Sequence, residues 1–198
     1  MAEIVCFHHA QGLTPGLHEL ADRFREAGHR VHQPDLYEGQ VFADLDAGVE
    51  HGESIGFAEI VARGVRAAAP VAAPVVVGLS MGVLPAMRVA MSRDDVRAAV
   101  LLHACVPPDE VGGTWPAELP TQVHGMDADP EFADAGDLAA ARALAEASEH
   151  VRVYTYPGDA HLFSDPSLPA YDDLAAGQVV DRILTLLDSL DAPGGPTP

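Results

Sequence analysis

Short, almost uninterrupted apolar runs, separated by longer segments of helical periodicity, leave this chain few folds to choose from. The runs are "EIVCFHH" from Glu3, "HRVHQP" from His29, "PVVVG" from Pro74, "RAAVLLHA" from Arg97, "PTQVHG" from Pro120 and "VRVYTYP" from Val151. A strand with one wet face alternates apolar and polar residues; a strand buried on both faces does not need to, and that is the habit of parallel sheets. Helices are expected over residues 15–27, 52–69, 81–92, 134–148 and 171–190. The first carries Leu17, Leu20, Ala21 and Phe24 on one face, with Gly28 just past its end as a stop. Strands and helices in alternation imply right-handed crossovers. The expected class is therefore α/β: a mostly parallel central sheet of about six to seven strands, helices on both faces and no lid domain. A chain of 198 residues, 48% of them apolar, suits one core. One domain is expected over residues 1–190, with the proline- and glycine-rich "DAPGGPTP" of residues 191–198 as a disordered tail.

The run "VVVGLSMGV" from Val75 ends a buried strand on a hydroxyl set between two glycines, Gly78-Leu79-Ser80-Met81-Gly82. In an open parallel sheet, ligands gather at the carboxyl ends of the strands, and Ser80 falls at such an end. Gly78 and Gly82 stand where side chains would collide in a sharp strand-to-helix turn, so Ser80 can project from a strained elbow. Chance alone produces G-x-S-x-G, but chance seldom adds a preceding apolar strand and a following helix. Ser80 is the candidate nucleophile.

A serine hydroxyl needs a base, and the base needs an orienting carboxylate. The elbow pattern predicts the chain order Ser, Asp or Glu, His, each at the end of a later strand. "YTYPGDAHLF" supplies His161 after the last strand, and "QVHGMDADPEF" supplies Asp127 and Asp129 after the strand before it. Asp129 is favoured because Pro130 fits a sharp exit from the loop; Asp127 stays open. Among the other histidines, His103 and His124 also sit at strand ends, while His18, His29, His51 and His150 read as helix or loop surface. The oxyanion donors are expected to be the backbone N–H of Met81 and one from "HHAQGLTPG", at Ala10 or Gln11. Adjacent His8 and His9 point to opposite faces of a strand and cannot chelate one ion together, and no HExxH or paired CxxC is present, so neither metal nor cofactor is expected. The loop after the first strand also matches neither G-x-G-x-x-G nor a P-loop, which argues against a nucleotide-binding protein of similar layout.

Charge narrows the partners. The 30 acidic residues face 11 basic ones, all arginine, for a formal charge of -19. Such a surface repels phosphate backbones and anionic lipid, so no nucleic-acid or membrane role is expected. Cys6 and Cys105 lie in apolar runs, as small buried thiols do. No basic leader or membrane-length apolar stretch is seen, and a cytoplasmic monomer or homodimer is expected.

The segments "HHAQGLTPG", "HQPDLYEGQVF", "GLSMG", "HGMDADPEF" and "YPGDAHLFSDPSLPAYD" together resemble the dienelactone hydrolase family of α/β-hydrolases, from Ile4 to about Leu187. "PDLY" and "GDAHLF" are more specific than the elbow, which many hydrolases share. The resemblance implies a lidless serine hydrolase that cleaves small ester or lactone bonds through an acyl-enzyme, with Ser80, Asp129 and His161 in the triad positions. The alternatives are a carboxylesterase or thioesterase of other specificity, or a noncatalytic module of the same fold. Three positions depart from the better-known members. Ser80 replaces a cysteine, His9 replaces a glutamate beside the oxyanion loop, and Asp165 stands where an arginine holds the substrate carboxylate. Neutral substrates are therefore expected, unless Arg63 or Arg66 folds over the site and restores the charge.

Overall fold

In the computed structural model, which describes residues 1–191, the six apolar runs form a single sheet. Its strands are β1 (Glu3–Phe7), β2 (Arg30–His32), β3 (Pro74–Leu79), β4 (Ala98–Leu102), β5 (Thr121–Met126) and β6 (Val151–Tyr156), in the order β2-β1-β3-β4-β5-β6. Every pairing between them is parallel. The chain leaves β1 outward to β2 and then returns to place β3 on the other side of β1. That reversal opens a crevice at the carboxyl ends of β1 and β3, the usual place for a ligand in an open sheet.

Two hydrophobic cores flank the sheet, which explains why the inner strands β1, β3, β4 and β5 are buried almost throughout, while the edge strands β2 and β6 keep exposed residues. Val5 and Phe7 of β1, Val76 of β3 and Leu101 of β4 face one core, with α3 (Phe57–Ala68), α4 (Val83–Ser92) and α5 (Asp137–Ala147) packed over them. Ile4, Cys6, Val75, Val77 and Val100 point the other way, beneath α1 (Pro15–Glu26) and α6 (Asp173–Asp191). Successive residues of one strand thus serve opposite cores. The helix α1 buries the expected stripe of Leu17, Leu20, Ala21 and Phe24, and Gly28 follows at φ +91°.

Several helix boundaries differ from the sequence expectation. The helix expected over residues 52–69 is two helices, α2 (Leu45–Ile55) and α3, because Gly56 takes φ +89° and breaks the ladder. Ser80–Gly82 forms a tight 3-10 turn before α4, and α5 begins only after a wide turn at Pro130–Asp134. The last helix includes Asp191; residues 192–198 of the expected tail lie outside the described residues. Among the described residues no helix is long and apolar enough to cross a membrane.

Candidate active site

The elbow is built by close contact. Ser80 sits at φ +49°, a left-handed conformation that costs an L-residue energy and is tolerated where surroundings enforce it. A Cβ on Gly78 would lie 2.4 Å from the carbonyl oxygen of Gly82. On Gly82 it would lie 2.4 Å from the Phe7 carbonyl oxygen and 2.6 Å from that of His8. The two glycines therefore let the turn close on itself and let α4 press against the end of β1.

Ser80 Oγ lies 3.0 Å from His161 Nε2, and His161 Nδ1 lies 2.7 Å from Asp129 Oδ2. The three side chains come from the ends of β3, β6 and β5. Asp129 is fully buried, and its other oxygen accepts the Glu131 N–H at 2.9 Å. Asp127 is exposed and accepts the Gly158 N–H at 3.2 Å, bracing the loop away from His161. Leu162 takes φ +61° directly after His161. A hydroxyl, an imidazole and a carboxylate in this series can pass a proton from oxygen to nitrogen while the carboxylate holds the resulting cation.

Ala10, buried after β1, lines the cleft in front of Ser80 together with Met81. The Gln11 N–H turns away and donates to His9 Nδ1 at 3.2 Å, while its side chain donates to the Phe42 carbonyl. Met81 lies in the first turn leading into α4, where amides lack intrahelical acceptors. Its Sδ lies 3.0 Å from the Tyr37 hydroxyl, which also lies 2.9 Å from the Gly48 carbonyl oxygen. Tyr37 ends the "PDLY" segment, whose last two residues, Leu36 and Tyr37, are buried, so that end of the motif braces the elbow from behind; burial pushes the Tyr37 phenol up to about 12. His8 accepts the Leu36 N–H at Nε2, 2.9 Å away, and burial lowers its pKa to about 4. His8 and His9 are thus committed to separate partners, and no group of three ligand side chains among the described residues could hold a metal ion.

The cleft has a volume of about 290 Å³. Leu45, Val49, Phe57, Leu84 and Val106 give it apolar walls, and its charged lining is Glu131 and Asp137. Asp137 accepts the Cys105 N–H at 2.8 Å, and burial raises its pKa. Arg63 is spent on the Leu36 carbonyl, Glu38 and Glu59, and Arg66 on Glu59, so neither arginine reaches the cleft. Asp165, expected by resemblance at the substrate carboxylate, lies instead behind the site, where it is buried and bonded to His9, Thr14 and Ser167. A separate hollow of about 340 Å³ beside α1 and α6, rimmed by Glu19, Asp22 and Glu26, holds no comparable series of hydroxyl, imidazole and carboxylate.

One cleft residue was legible only as a strand-end histidine. His103 is buried at φ +67°, edge-on to the His161 ring at 5.8 Å, with Nε2 2.7 Å from Ser164 Oγ. Burial and the nearby His161 lower its pKa well below the histidine range, so it stands neutral beside the site. His124, the other strand-end histidine, is buried between Tyr156 and Gln122, away from the cleft.

The model of the dienelactone hydrolase family matches residues 1–190. Among solved structures, the chain is similar to a dienelactone hydrolase-like promiscuous phosphotriesterase from metagenomic libraries (TM-score 0.76, 20% identity, covering 96% of this chain and 87% of that one). It is also similar to Thermogutta terrifontis esterase 2 phosphonylated by cyclosarin (TM-score 0.71, 18% identity, 97% and 84%). A third is a cold-adapted esterase from an Arctic intertidal metagenomic library (TM-score 0.65, 15% identity, 94% and 82%). No curated protein matches the chain. At these identities the solved structures establish the α/β-hydrolase fold.

Proposed function

The chain belongs to the dienelactone hydrolase family, and we propose that within it the protein is a serine hydrolase of carboxylic esters or lactones, working through an acyl-enzyme. The observation that carries this reading is the unbroken series Ser80 Oγ, His161 and Asp129 Oδ2, spaced 3.0 and 2.7 Å, beside the cleft. His161 Nε2 removes the Ser80 proton as Oγ attacks the substrate carbonyl, and Asp129 stabilises the imidazolium. The N–H groups of Met81 and Ala10 receive the oxyanion; one such donor is worth about 3 kcal/mol of barrier. Collapse expels the alkoxide, which takes the proton from His161, and leaves Ser80 acylated. Water then attacks the acyl carbon, gives its proton to His161, and the proton returns to Ser80 as the acid departs.

The similar Thermogutta esterase carries a phosphonyl group, and the same class of reagent tests Ser80. A fluorophosphonate probe is expected to label Ser80, read by peptide mass mapping, and to abolish hydrolysis of p-nitrophenyl acetate. Ser80→Ala and Asp129→Asn are each expected to lower kcat/KM by about 10³-fold or more, with Asp127→Asn within about threefold of wild type. Hydrolysis that survives in Ser80→Ala would overturn the proposal.

A further inference from the structure

Behind the cleft, two side chains that the proposed chemistry does not use tie the loop after β1 to the loop carrying His161. His9 and Asp165 are 0% and 1% exposed, and His9 Nε2 lies 2.9 Å from Asp165 Oδ2. The Thr14 hydroxyl donates to the same oxygen, and Asp165 Oδ1 takes the Ser167 N–H at 2.8 Å and its hydroxyl at 2.6 Å. The chain leaves room for this carboxylate: a Cβ on Gly16 would lie 1.7 Å from Asp165 Oδ1. Burial favours the protonated acid, but the donors from His9, Ser167 and Thr14 outweigh it and hold Asp165 below the usual carboxylate range.

An ionised carboxylate can only accept, so the proton on His9 is fixed at Nε2. The other nitrogen, Nδ1, is then a lone pair, and it lies 3.2 Å from the Gln11 N–H. One ring with one proton position thus engages the Gln11 amide on the far side of the loop. The Ala10 amide, next in line along the cleft wall, is left with no such partner among the described residues.

We propose that His9, oriented by Asp165, is a positioning residue that selects which amide serves as the second oxyanion donor, by withdrawing the Gln11 N–H and leaving that of Ala10 to the substrate. This rests on the serine-hydrolase reading of the site. Asparagine places an acceptor where histidine has Nδ1, whereas phenylalanine keeps the ring and removes both nitrogens. If the ring acts through the Gln11 amide, the two substitutions separate in kcat.

His9→Phe is expected to lower kcat by about 10- to 100-fold, below the loss from deleting a whole oxyanion donor. KM is expected to stay within about threefold, because the donor acts in the transition state. His9→Asn is expected to recover at least about a third of the lost activity on a logarithmic scale. The unaltered protein gives a second reading through imidazole 15N shifts, with His9 assigned by the signal lost in His9→Asn. A ring with its proton on Nε2 and a bare lone pair on Nδ1 is expected from its two partners; a ring protonated at Nδ1, or at both nitrogens, overturns the proposal even if His9→Phe fails to fold. So does a His9→Phe enzyme with wild-type kcat while Ser80→Ala is inactive. Activity surviving in Ser80→Ala would instead refute the serine reading beneath it.

Discussion

Gly48 of α2 touches Ala10 so closely that a Cβ on the glycine would lie 2.1 Å from the Ala10 carbonyl oxygen. The same atom would be 2.6 Å from the Ala10 carbonyl carbon and 3.0 Å from the Gln11 nitrogen, so the helix backbone presses on the peptide that joins the two candidate donors. Gly82 presses on the neighbouring Phe7 and His8 carbonyls from the turn before α4. The end of β1 and the loop after it are clamped by α2 on one side and the elbow turn on the other, each through a glycine.

Gly48→Ala is therefore expected to displace that peptide and lower kcat/KM by about tenfold or more, a loss comparable to misplacing a catalytic group by a fraction of an ångström. Alanine favours a helix by about 0.5–1 kcal/mol over glycine, which offsets only part of an overpacking cost of about 1–3 kcal/mol, so the melting temperature is expected to fall by a few degrees while the fold is kept. Gly177 in α6 has open space where its Cβ would go, and Gly177→Ala is expected to raise stability and leave kcat/KM unchanged. Equal activity in the two variants would show that the clamp on Ala10 does not matter to the site.

Acid is expected to weaken the fold through its buried histidines. Burial lowers His8 to about 4, His124 to about 3, and His103 well below the ordinary value. In the unfolded chain each takes a proton below about pH 6.5, whereas in the folded protein each stays neutral, so the unfolded state binds more protons and stability falls as pH falls. Each histidine contributes at most about 1.4 kcal/mol per pH unit from about pH 6.5 down to its folded value. Asp165, held low, adds to the loss nearer pH 4, and Asp137, held high, opposes it there. Urea unfolding at pH 7.5 and pH 5.5 is expected to show a loss of about 2 kcal/mol or more, with a shallower slope in His124→Gln. Equal stability at the two pH values would mean that these rings take up protons without unfolding.

The fold was legible because both cores draw on the same strands: Val75, Val76 and Val77 alternate between faces that are equally apolar, which only a sheet covered on both sides requires. Gly56 broke an expected helix because its neighbours keep helical periodicity across the break, and nothing local announces φ +89°. Chain order pointed to Ser80, Asp129 and His161, but Asp127 and Asp129 lie two residues apart in one loop. Only the folded backbone shows one of them exposed against Gly158 and the other buried against His161. The contact of His9 with Asp165 spans 156 positions and leaves no local pattern, so resemblance placed Asp165 at the substrate when it lies behind the wall.

That placement bears on substrate charge. The cleft is walled by Leu45, Val49, Phe57 and Val106, and the charges on its lining are Glu131 and Asp137. Arg63 and Arg66 are held by Glu59 on the outer side of α3, and a net charge of -19 surrounds the whole. A carboxylate entering this cleft loses its water without gaining a cationic partner, at a cost of several kcal/mol, roughly what an unpaired buried charge suffers after relaxation. A neutral lactone is therefore expected to exceed its carboxylated analogue in kcat/KM by about tenfold or more at moderate salt. Glu131 is exposed at the cleft, and Glu131→Gln is expected to narrow that ratio by raising turnover of the carboxylated compound more than that of the neutral one. Added salt is expected to narrow it further, since exposed charges are screened within about 10 Å at 0.1 M. A tenfold preference for the carboxylated compound would contradict this account of the cleft. It would require Arg63 or Arg66 to leave Glu59 and swing over Ser80, which Arg63→Gln and Arg66→Gln would then expose by abolishing the preference.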